Sequence, residues 1–420
     1  MTPRAPLLVT TLLAASAAAA TTAAGQAPLT HPDIKVRQAL ELVARDNAWT
    51  LDQQVAICEI PAPPFKESAR AADYAARFRA LGYRVTLDSI GNVIAARPGS
   101  SGRRRVVFAA HLDTVFPEGT DVRVRREGTR LSGPGIGDDC RGLAVILAVA
   151  RALQLTKVET AGDLVFVGNV GEEGLGNLRG TRHLFESGSA GKIDAFVSVD
   201  GIGLGLVSGG VGSNRYQVTF TGPGGHSYGD FGMPNPMHAM GRAIAAIADL
   251  EVPSTPRTVF NVGVVSGGTS VNSITGTATM LVDLRSESAA ALARVDSAFH
   301  RAVATAVAAE RARWPQSPAP LSAEVAVLGK RPAGSQPDSA WIVREAIASA
   351  AALGLPTPRP GIASTDANVP ISLGIPALAL DGGGTGDGAH SLGEWYDDGA
   401  RGYLGPQWVL LLAVRLASGR

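Results

Sequence analysis

The residues best suited to chemistry in this chain are histidines and carboxylates in five short segments. The segments are His111-Leu112-Asp113, Asp138-Asp139, Glu172-Glu173, Asp200 and His390. Each follows an apolar run or lies in a glycine-rich turn, which is where α/β enzymes assemble a site at one edge of a sheet. Imidazole and carboxylate groups bind divalent cations such as zinc. Together the segments predict a hydrolase that uses two metal ions.

The first segment predicts a metal ligand at the end of a buried strand. Val106–Ala110 is a continuous apolar run, and side chains two residues apart in a strand point to the same side. Asp113 is therefore expected to accept the proton of one imidazole nitrogen while His111 binds metal through the other. Taken alone, a histidine at a strand end is more often structural, so the prediction depends on the other segments.

The two carboxylate pairs complete the pattern. Asp138-Asp139 follow a glycine-rich turn of the kind that also cradles phosphate, but two adjacent carboxylates repel an anion. One carboxylate can instead bridge two cations about 3.5–4 Å apart. Glu172 and Glu173 follow another apolar strand in a turn flanked by glycines, so that one can bind metal while the other acts as a general base.

Length and charge restrict the class of protein. A chain of 420 residues is long enough to bury a large core and suggests two domains. The 38 lysines and arginines are balanced by 37 aspartates and glutamates, which leaves a net charge of +1. We therefore expect no nucleic-acid partner.

The first residues predict an exported protein. Arg4 supplies a positive charge, residues 7–20 form a short apolar stretch, and Ala23–Gly25 are small. This order is typical of a secretory signal peptide, which we assign to residues 1–25, and it predicts a periplasmic or secreted enzyme. The alternative is a membrane anchor, but the stretch is short and rich in alanine for a span. After cleavage we expect no membrane association.

Cys58 and Cys140 are the two cysteines of the chain, which is too few for a disulfide framework. Export would permit one bridge, and Cys140 stands two residues after a proposed metal ligand. Two interpretations are open at this point: a Cys58–Cys140 disulfide that braces the site, or two unrelated buried thiols.

The hydrophobic periods predict an α/β fold that is divided by an inserted domain. Helices alternate with apolar strands over residues 30–212, beginning with one helix over Pro32–Ala56, and this alternation is typical of a mostly parallel mixed sheet flanked by helices. Over residues 213–330 the order becomes β-α-β-β-α-β, which is that of a ferredoxin-like α+β domain. The first pattern resumes over residues 331–420. We therefore expect a split catalytic domain.

In combination these segments resemble the M20 family of metallopeptidases, which includes tripeptide aminopeptidases, glutamate carboxypeptidases and aminoacylases. The resemblance covers nearly all of the mature chain, including the inserted domain. Its motifs are His-Leu-Asp-Thr-Val at 111–115, Gly-Asp-Asp at 137–139, Gly-Glu-Glu-Gly at 171–174 and Gly-Ala-His-Ser at 388–391.

The resemblance implies a specific set of metal ligands. His111, Asp138 and Asp200 would hold one zinc ion. Asp138, Glu173 and His390 would hold the other, so that Asp138 bridges the two. Cobalt or manganese would suit similar ligands.

The resemblance also implies the residues that act beside the metal ions. Glu172 would be the general base, Asp113 would orient His111, and the peptide bond between Asp138 and Asp139 would be cis. One departure is visible, because Asp138-Asp-Cys-Arg-Gly142 replaces the more usual Asp-Asp-Lys-Gly. The departure puts a contact near residue 140 in doubt but not the ligand.

The inserted domain carries three further residues that the resemblance marks. His226 would reach the active site of a neighbouring subunit and stabilise the oxyanion, which implies a homodimer formed through this lid or dimerisation domain. Asn272 and Arg285 would hold a substrate carboxylate, for which a hydrogen-bond donor and a guanidinium are suitable. The alternative for Arg285 is a surface salt bridge.

Two other functions are weighed against the metallopeptidase. Gly225-His-Ser-Tyr-Gly229 matches the nucleophile elbow of serine hydrolases, and Asp366 and His390 follow in the order of a triad, but the segment lacks the sharp strand-to-helix turn. A non-catalytic binding protein on the same fold would be expected to lack a ligand or the base, and every such position is filled here.

We expect an exopeptidase that acts on short peptides. Glu67 follows a proline-rich turn and is a candidate to bind a substrate ammonium, which favours an aminopeptidase. The alternatives are an N-acyl amino acid hydrolase and a glutamate-type carboxypeptidase.

Overall fold

The computed structural model describes residues 31–418, so the expected signal peptide lies outside the described part of the chain. The helices are α1 Ile34–Arg45, α2 Asn47–Cys58, α3 Ser68–Ala80, α4 Cys140–Leu155, α5 Arg179–Ser187, α6 Pro236–Ala248, α7 Ala289–Arg313, α8 Trp341–Ala352, α9 Asn368–Ser372 and α10 Leu404–Ser418, with a 3₁₀ turn at Gly174–Gly176.

The strands before the inserted domain are β1 Arg84–Leu87, β2 Val93–Arg97, β3 Arg105–His111, β4 Arg125–Glu127, β5 Arg130–Ser132, β6 Asp163–Asn169, β7 Ala195–Val199 and β8 Leu206–Gly210. Those that follow are β9 Gly212–Thr221, β10 Gly225–His226, β11 Thr258–Gly267, β12 Ser273–Ile274, β13 Thr277–Ser286, β14 Ser322–Arg331, β15 Gly334–Ser335, β16 Pro360–Ala363, β17 Ala377–Leu380, β18 Thr385–Asp387 and β19 Trp395–Asp397.

The larger sheet has the strand order β1-β2-β6-β3-β7-β17-β8-β15, with β16 beside β8. The four central strands β6, β3, β7 and β17 are parallel, and antiparallel strands flank them. Successive residues of β3 face opposite sides. Val106 and Phe108 belong to the core formed with α4, α8 and α10, and Val107 and Ala109 to the core formed with α5 and α9. Because helices cover both faces of this sheet, the central strands consist of nearly unbroken runs of apolar residues.

The inserted domain is a four-stranded antiparallel sheet with the order β11-β13-β9-β14. Helices α6 and α7 pack against it, and Tyr216, Phe220 and Phe299 are part of the core between them. This order of strands is that of a ferredoxin-like unit, so the predicted fold class, with a mixed sheet and a separate antiparallel domain, is confirmed. The inserted sheet begins at Gly212 and ends at Arg331.

The single helix expected over Pro32–Ala56 is wrong, because the chain turns at Asp46 and forms α1 and α2. The Asp46 carboxylate lies 2.7 Å from the guanidinium of Arg151 on α4. Both α1 and α2 pack against α4, which one straight helix cannot do. The apolar spacing does predict helical structure here. The turn between the two helices depends on the contact of Asp46 with Arg151, which lies far away in the sequence.

The two cysteines are free buried thiols, so the disulfide is not formed. The Cys58 thiol donates a hydrogen bond to the carbonyl of Pro134 at 3.5 Å, and burial is the first cause that raises its pKa well above the usual range. Within residues 31–418, no helix is both long and apolar enough to cross a membrane.

Arg141 anchors α4 to the edge of the sheet that carries the candidate site. Its side chain is fully buried, and its guanidinium donates to the carbonyls of Gly382 at 2.8 Å and Gly402 at 2.9 Å. The Asp398 carboxylate lies 3.9 Å away and the ring of Tyr396 lies beneath the guanidinium. The unusual Cys-Arg pair of the sequence therefore has a structural use.

We expect Arg141→Met to lower the free energy of unfolding by about 3–5 kcal/mol, because buried polar groups would lose their partner. Denaturation followed by tryptophan fluorescence measures the change. Arg294→Met, at an exposed position of α7, is the control and should change stability by less than about 0.5 kcal/mol. A loss below about 1 kcal/mol for Arg141→Met would contradict this role.

Candidate metal centre

Three of the four central parallel strands place candidate ligands at their carboxyl ends, at one edge of the sheet. His111 is the last residue of β3, Glu172 and Glu173 follow β6, and Asp200 directly follows β7. His390 comes from the segment between β18 and β19. The five scattered segments of the sequence are therefore brought together, as expected for side chains near the carboxyl ends of strands in an α/β sheet.

The ligand atoms form two groups that share Asp138. One group is His111, Asp138 and Asp200, the other is Asp138, Glu173 and His390, and the atoms within each group lie within 4.8 Å of one another. These are the sets that the resemblance implied. Two imidazoles and three carboxylates in this arrangement fit a pair of divalent cations, and zinc suits such a donor set.

The Asp138 carboxylate presents one oxygen to each imidazole. Its Oδ1 lies 2.9 Å from His111 Nε2, and its Oδ2 lies 3.1 Å from His390 Nε2. Glu173 Oε1 lies 3.0 Å from the same nitrogen of His390. A carboxylate placed between two nitrogen donors in this way is suited to bridge two cations.

The electrostatics of the cluster favour cations. Burial, followed by the nearby Asp138 carboxylate, raises the pKa of Asp200 to about 7. Hydrogen bonds to Asp138 and then Glu173 raise the pKa of His390 to about 10. Burial also raises the pKa of Glu172 well above its usual range. Cations in the cluster would offset the repulsion among these buried carboxylates.

A turn held by hydrogen bonds presents Asp138. The peptide bond between Asp138 and Asp139 is cis, as expected. Glu394 accepts hydrogen bonds from the main-chain amides of Gly135, Gly137 and Asp138 at 2.8, 2.7 and 2.9 Å. Sequence reasoning missed Glu394, because a glutamate four residues after His390 carries no local signal of this role.

Asp139 connects this turn to two neighbouring elements. Its carboxylate accepts from the amide of His111 at 2.9 Å and from the amide of Gly142 at 3.0 Å. A Cβ atom on Gly142 would lie 2.0 Å from the carbonyl oxygen of Val199, so only glycine fits there. Asp139 therefore fixes β3 and the start of α4 relative to Asp138.

Asp113 does not hold His111 in the way the sequence predicted. His111 Nδ1 lies 3.0 Å from the carbonyl oxygen of Asp113, whereas the carboxylate is 3.7 Å away. The carboxylate instead accepts from the amides of Glu172 at 3.0 Å and Glu173 at 2.8 Å. Asp113 thus orients His111 through its main chain and the two glutamates through its side chain.

The segment that carries Glu172 and Glu173 is closed at both ends by buried polar side chains that sequence reasoning missed. Asn92 accepts from the amide of Val170 and donates to the carbonyl of Gly180, both at 3.0 Å. Asp366 accepts from Asn169 and Thr181, both at 2.6 Å. We call residues 170–180 the glutamate loop and these contacts its neck.

The serine-hydrolase alternative is excluded by the same contacts. Asp366 is bound within the neck of the glutamate loop, and the imidazole of His390 faces Asp138 and Glu173. Ser227 follows β10 in the inserted domain. The three residues therefore do not form a triad.

Arg331, the last residue of β14, forms a buried ion pair with Glu172, and its Nη1 lies 2.9 Å from Glu172 Oε1. Its Nη2 also donates to the carbonyl oxygen of Glu172. The sequence gave no indication of this pair, because Arg331 lies at the expected boundary of the inserted domain, far from any ligand motif.

A cavity of about 700 Å³ is lined by every candidate ligand except His111 and extends to the inserted domain. Arg285 and Arg215 line it, and both guanidiniums lie next to the Asp283 carboxylate, at 2.6 and 3.5 Å. Arg285 is thus a cavity residue that also makes the salt bridge considered as its alternative. Asp381, which follows β17, lines the same cavity and was not predicted.

His226 and Asn272 do not line this cavity. His226 is exposed in the short ribbon formed by β10 and β12, and its Nδ1 accepts from the amides of Tyr228 and Gly229. The carbonyl of Asn272 accepts from Ser227 in the same ribbon. Within the described chain these two residues are therefore near each other but separate from the ligand cluster.

The expectation for Glu67 is wrong. Its carboxylate is buried and lies 2.6 Å from the guanidinium of Arg179. It also accepts from the amide of Phe65 at 3.1 Å, and it does not line the cavity with the ligand cluster. An acidic residue after a proline-rich turn can equally be a buried structural partner, as it is here.

Cation binding is expected to release protons, because it requires a neutral His390 and an ionised Asp200. With pKa values of about 10 and 7, both groups carry protons to lose near pH 7, so the affinity for Zn²⁺ should rise with pH. Against the effect of burial, the Asp138 carboxylate also raises the pKa of His111 well above its usual range, so we expect about two to three protons released per chain at pH 7. Calorimetric titration in buffers of different ionisation enthalpy measures this number.

His390→Asn should reduce this release by about one proton, and His238→Asn, at an exposed position outside the cluster, should leave it unchanged. If the affinity for Zn²⁺ were the same at pH 6 and pH 8, the proposed coupling would be wrong.

Comparison with known proteins agrees with this geometry. The model of peptidase family M20/M25/M40 matches residues 107–402. A Mycobacterium tuberculosis protein named DapE, for succinyl-diaminopimelate desuccinylase, is 28% identical over 247 residues, covering 56% of this chain and 67% of that protein. Carboxypeptidase G2 of Pseudomonas sp. (strain RS-16) is 30% identical over 162 residues, covering 36% and 38% of the two chains.

Solved structures show the same fold. Aminopeptidase PepT of Bacillus cereus superposes with a TM-score of 0.70 at 19% identity, covering 88% of this chain and 98% of that one. The YXEP protein of Bacillus subtilis, described as a dinuclear metal-binding peptidase, gives 0.65 at 18% identity, covering 89% and 99%. Because the family model matches well over half of the chain, this protein belongs to peptidase family M20/M25/M40 and is a metal-dependent hydrolase.

Proposed function

We propose that this protein hydrolyses the amide bond of a short peptide or N-acyl amino acid that carries a free carboxylate. One observation carries the proposal: Arg285 lines the same cavity as four of the five candidate ligands, which are Asp138, Glu173, Asp200 and His390. Similarity to proteins named carboxypeptidase and desuccinylase supports it. Glu67 is buried against Arg179 and does not line this cavity, so it does not support an aminopeptidase.

Two divalent cations, for which zinc is the proposed metal, would polarise the scissile carbonyl and make water a better nucleophile. The chain itself supplies the proton transfer. Glu172 Oε1 is held by Arg331, and Oε2 is the oxygen left to accept a proton from water and return it to the leaving amine. Asp113 fixes the amides of Glu172 and Glu173, so base and ligand keep their spacing.

The arginines explain why a substrate carboxylate is favoured. Arg215 and Arg285 share the single carboxylate of Asp283, so this wall of the cavity carries one surplus positive charge. Arg285 contacts Asp283 through Nε at 2.6 Å, which leaves its terminal nitrogens free to donate to a second carboxylate. A charge-assisted pair in this position would orient the substrate as well as bind it.

A second candidate is hydrolysis of peptides with a free amino terminus, and Asp381 favours it. Asp381 lines the cavity, and within residues 31–418 its carboxylate accepts one hydrogen bond, from the amide of Gly205 at 2.6 Å. The remaining oxygen is suited to an ammonium group. The fold shared with an aminopeptidase and a tripeptidase is compatible with this candidate.

We also propose that two copies associate through the inserted domain. His226 and Asn272 lie outside the cavity of their own chain, and the edge strand β11 exposes Val259, Val264 and Val265. Light scattering during gel filtration tests this association. The residue pattern of the first 25 positions supports export, which the amino-terminal sequence of the periplasmic or secreted protein would test.

The proposed substrate class is tested with matched pairs, such as an N-acyl amino acid and its amide. The free acid should be preferred in kcat/KM, and Arg285→Met should reduce that preference about 10- to 100-fold, which is the effect of losing one charged hydrogen bond. Peptides with free and acetylated amino termini test the second candidate in the same assay, together with Asp381→Asn.

Two variants serve as controls. Arg257→Met changes an exposed arginine of the inserted domain and should leave the preference unchanged. Glu172→Gln should lower kcat about 10²- to 10⁴-fold while two metal ions remain bound. Equal hydrolysis of acid and amide by the unaltered protein would sink the carboxylate proposal.

A further inference from the structure

Arg331 makes an unusual combination of contacts with the general base. Its side chain is 6% exposed, its Nη1 donates to Glu172 Oε1 and to Ser364 Oγ at 3.0 Å, and its Nη2 donates to the carbonyl oxygen of Glu172. One guanidinium therefore holds both the side chain and the main chain of the same residue. One charge-assisted bond to Oε1 and one to the main chain together restrict the position of the Glu172 carboxylate relative to its own backbone.

The terminal nitrogens of Arg331 are thus occupied by the protein. Its Nε is buried and has no hydrogen-bond partner within residues 31–418. This differs from Arg285, which contacts Asp283 through Nε and is 40% exposed in the cavity. The two arginines line one cavity, but their contacts assign them different tasks.

The glutamate loop is held by the two domains at different points. The catalytic domain closes its neck through Asn92 and Asp366. The inserted domain holds its outer part, since Arg215 donates to the carbonyl of Gly174 and the amide of Lys330 donates to Asn177, both at 2.8 Å. Arg331 follows Lys330 in β14 and adds the contact to Glu172 itself.

We propose that Arg331 is a positioning residue for Glu172, one that keeps Oε2 directed to the cavity and links the position of the base to the inserted domain. The inference rests on the proposed function in that Glu172 is taken as the base. A shift of about 1 Å in a reacting group can cost about 10²-fold in rate, so a clamp on both the carboxylate and its main chain has a large effect.

The test compares Arg331→Met and Arg331→Lys with Arg182→Met. Arg182 donates to the carbonyls of Lys330 and Asn177 at the same junction. Within the described chain no hydrogen bond joins it to Glu172. Arg331→Met should lower kcat about 100-fold with KM changed less than about 3-fold, and added methylguanidinium should restore part of kcat. Arg331→Lys should lose less, and Arg182→Met should stay within about 3-fold of the unaltered protein.

Two kinetic outcomes would overturn the inference. A rise in KM with loss of the preference for a free acid would show that Arg331 binds substrate. A fall in activity matched by Arg182→Met, without recovery by methylguanidinium, would show that the arginine only holds the two domains together.

A readout that needs no substrate separates this inference from the proposed function. Hydrogen exchange of residues 171–174 should be faster in Arg331→Met than in Arg182→Met, with two metal ions bound in each. Arg182 contacts the loop at Asn177, so that part of the loop is left out of the comparison. Equal exchange in the two variants would refute the positioning role. If Arg331→Met exchanged faster than Arg182→Met, as expected, but the unaltered protein hydrolysed none of the amide substrates, the proposed function would fail instead.

Discussion

The Asp138 carboxylate has to face two imidazoles at once, and much of the structure near the sheet edge serves this requirement. Glu394 binds the amides of Gly135, Gly137 and Asp138, and Asp139 binds the amides of His111 and Gly142. Arg141 then secures α4 to the sheet. The candidate bridging carboxylate is therefore positioned by several buried polar side chains that lie outside both candidate ligand sets.

The two domains divide the chemistry between them. The catalytic domain contributes the candidate ligands and the proposed base Glu172, most of them from parallel strands that end at one edge of its sheet. The inserted domain contributes guanidiniums, of which Arg285 faces the cavity and Arg331 contacts the base. A substrate that contacts both walls would thus be recognised by the inserted domain and cleaved by the catalytic domain. Its rate of hydrolysis would then depend on the orientation of one domain relative to the other.

The parts of this arrangement that follow local rules could be predicted from the sequence. Apolar runs located β3, β6 and β7, and the candidate ligands His111, Glu173 and Asp200 lie at or shortly after the ends of these strands. Resemblance to a family grouped them into two sets, and the structure brings the atoms of each set within 4.8 Å of one another. The change of hydrophobic period after residue 212 indicates a second domain. The β-α-β-β-α-β order of its elements indicates that this domain is ferredoxin-like.

The remainder depended on contacts between distant segments. Glu394, Arg331 and Asp366 act on residues far from them in the chain, and nothing in their immediate sequence marks them. Glu67 was misjudged for the same reason, because its partner Arg179 is 112 residues away. The alternation of side chains along a strand predicts a contact of His111 with the Asp113 carboxylate. The shorter contact is with the main-chain carbonyl of Asp113, about which this alternation gives no information.

The unequal exposure of the two histidines has a kinetic consequence. His111 is 1% exposed and His390 is 57% exposed, so the two groups that share Asp138 differ in their contact with solvent. An ion beside His390 can exchange ligands with water and small chelators more rapidly than one beside His111. Removal of two bound ions by a chelator would therefore be expected in two phases, with the ion beside His390 lost first.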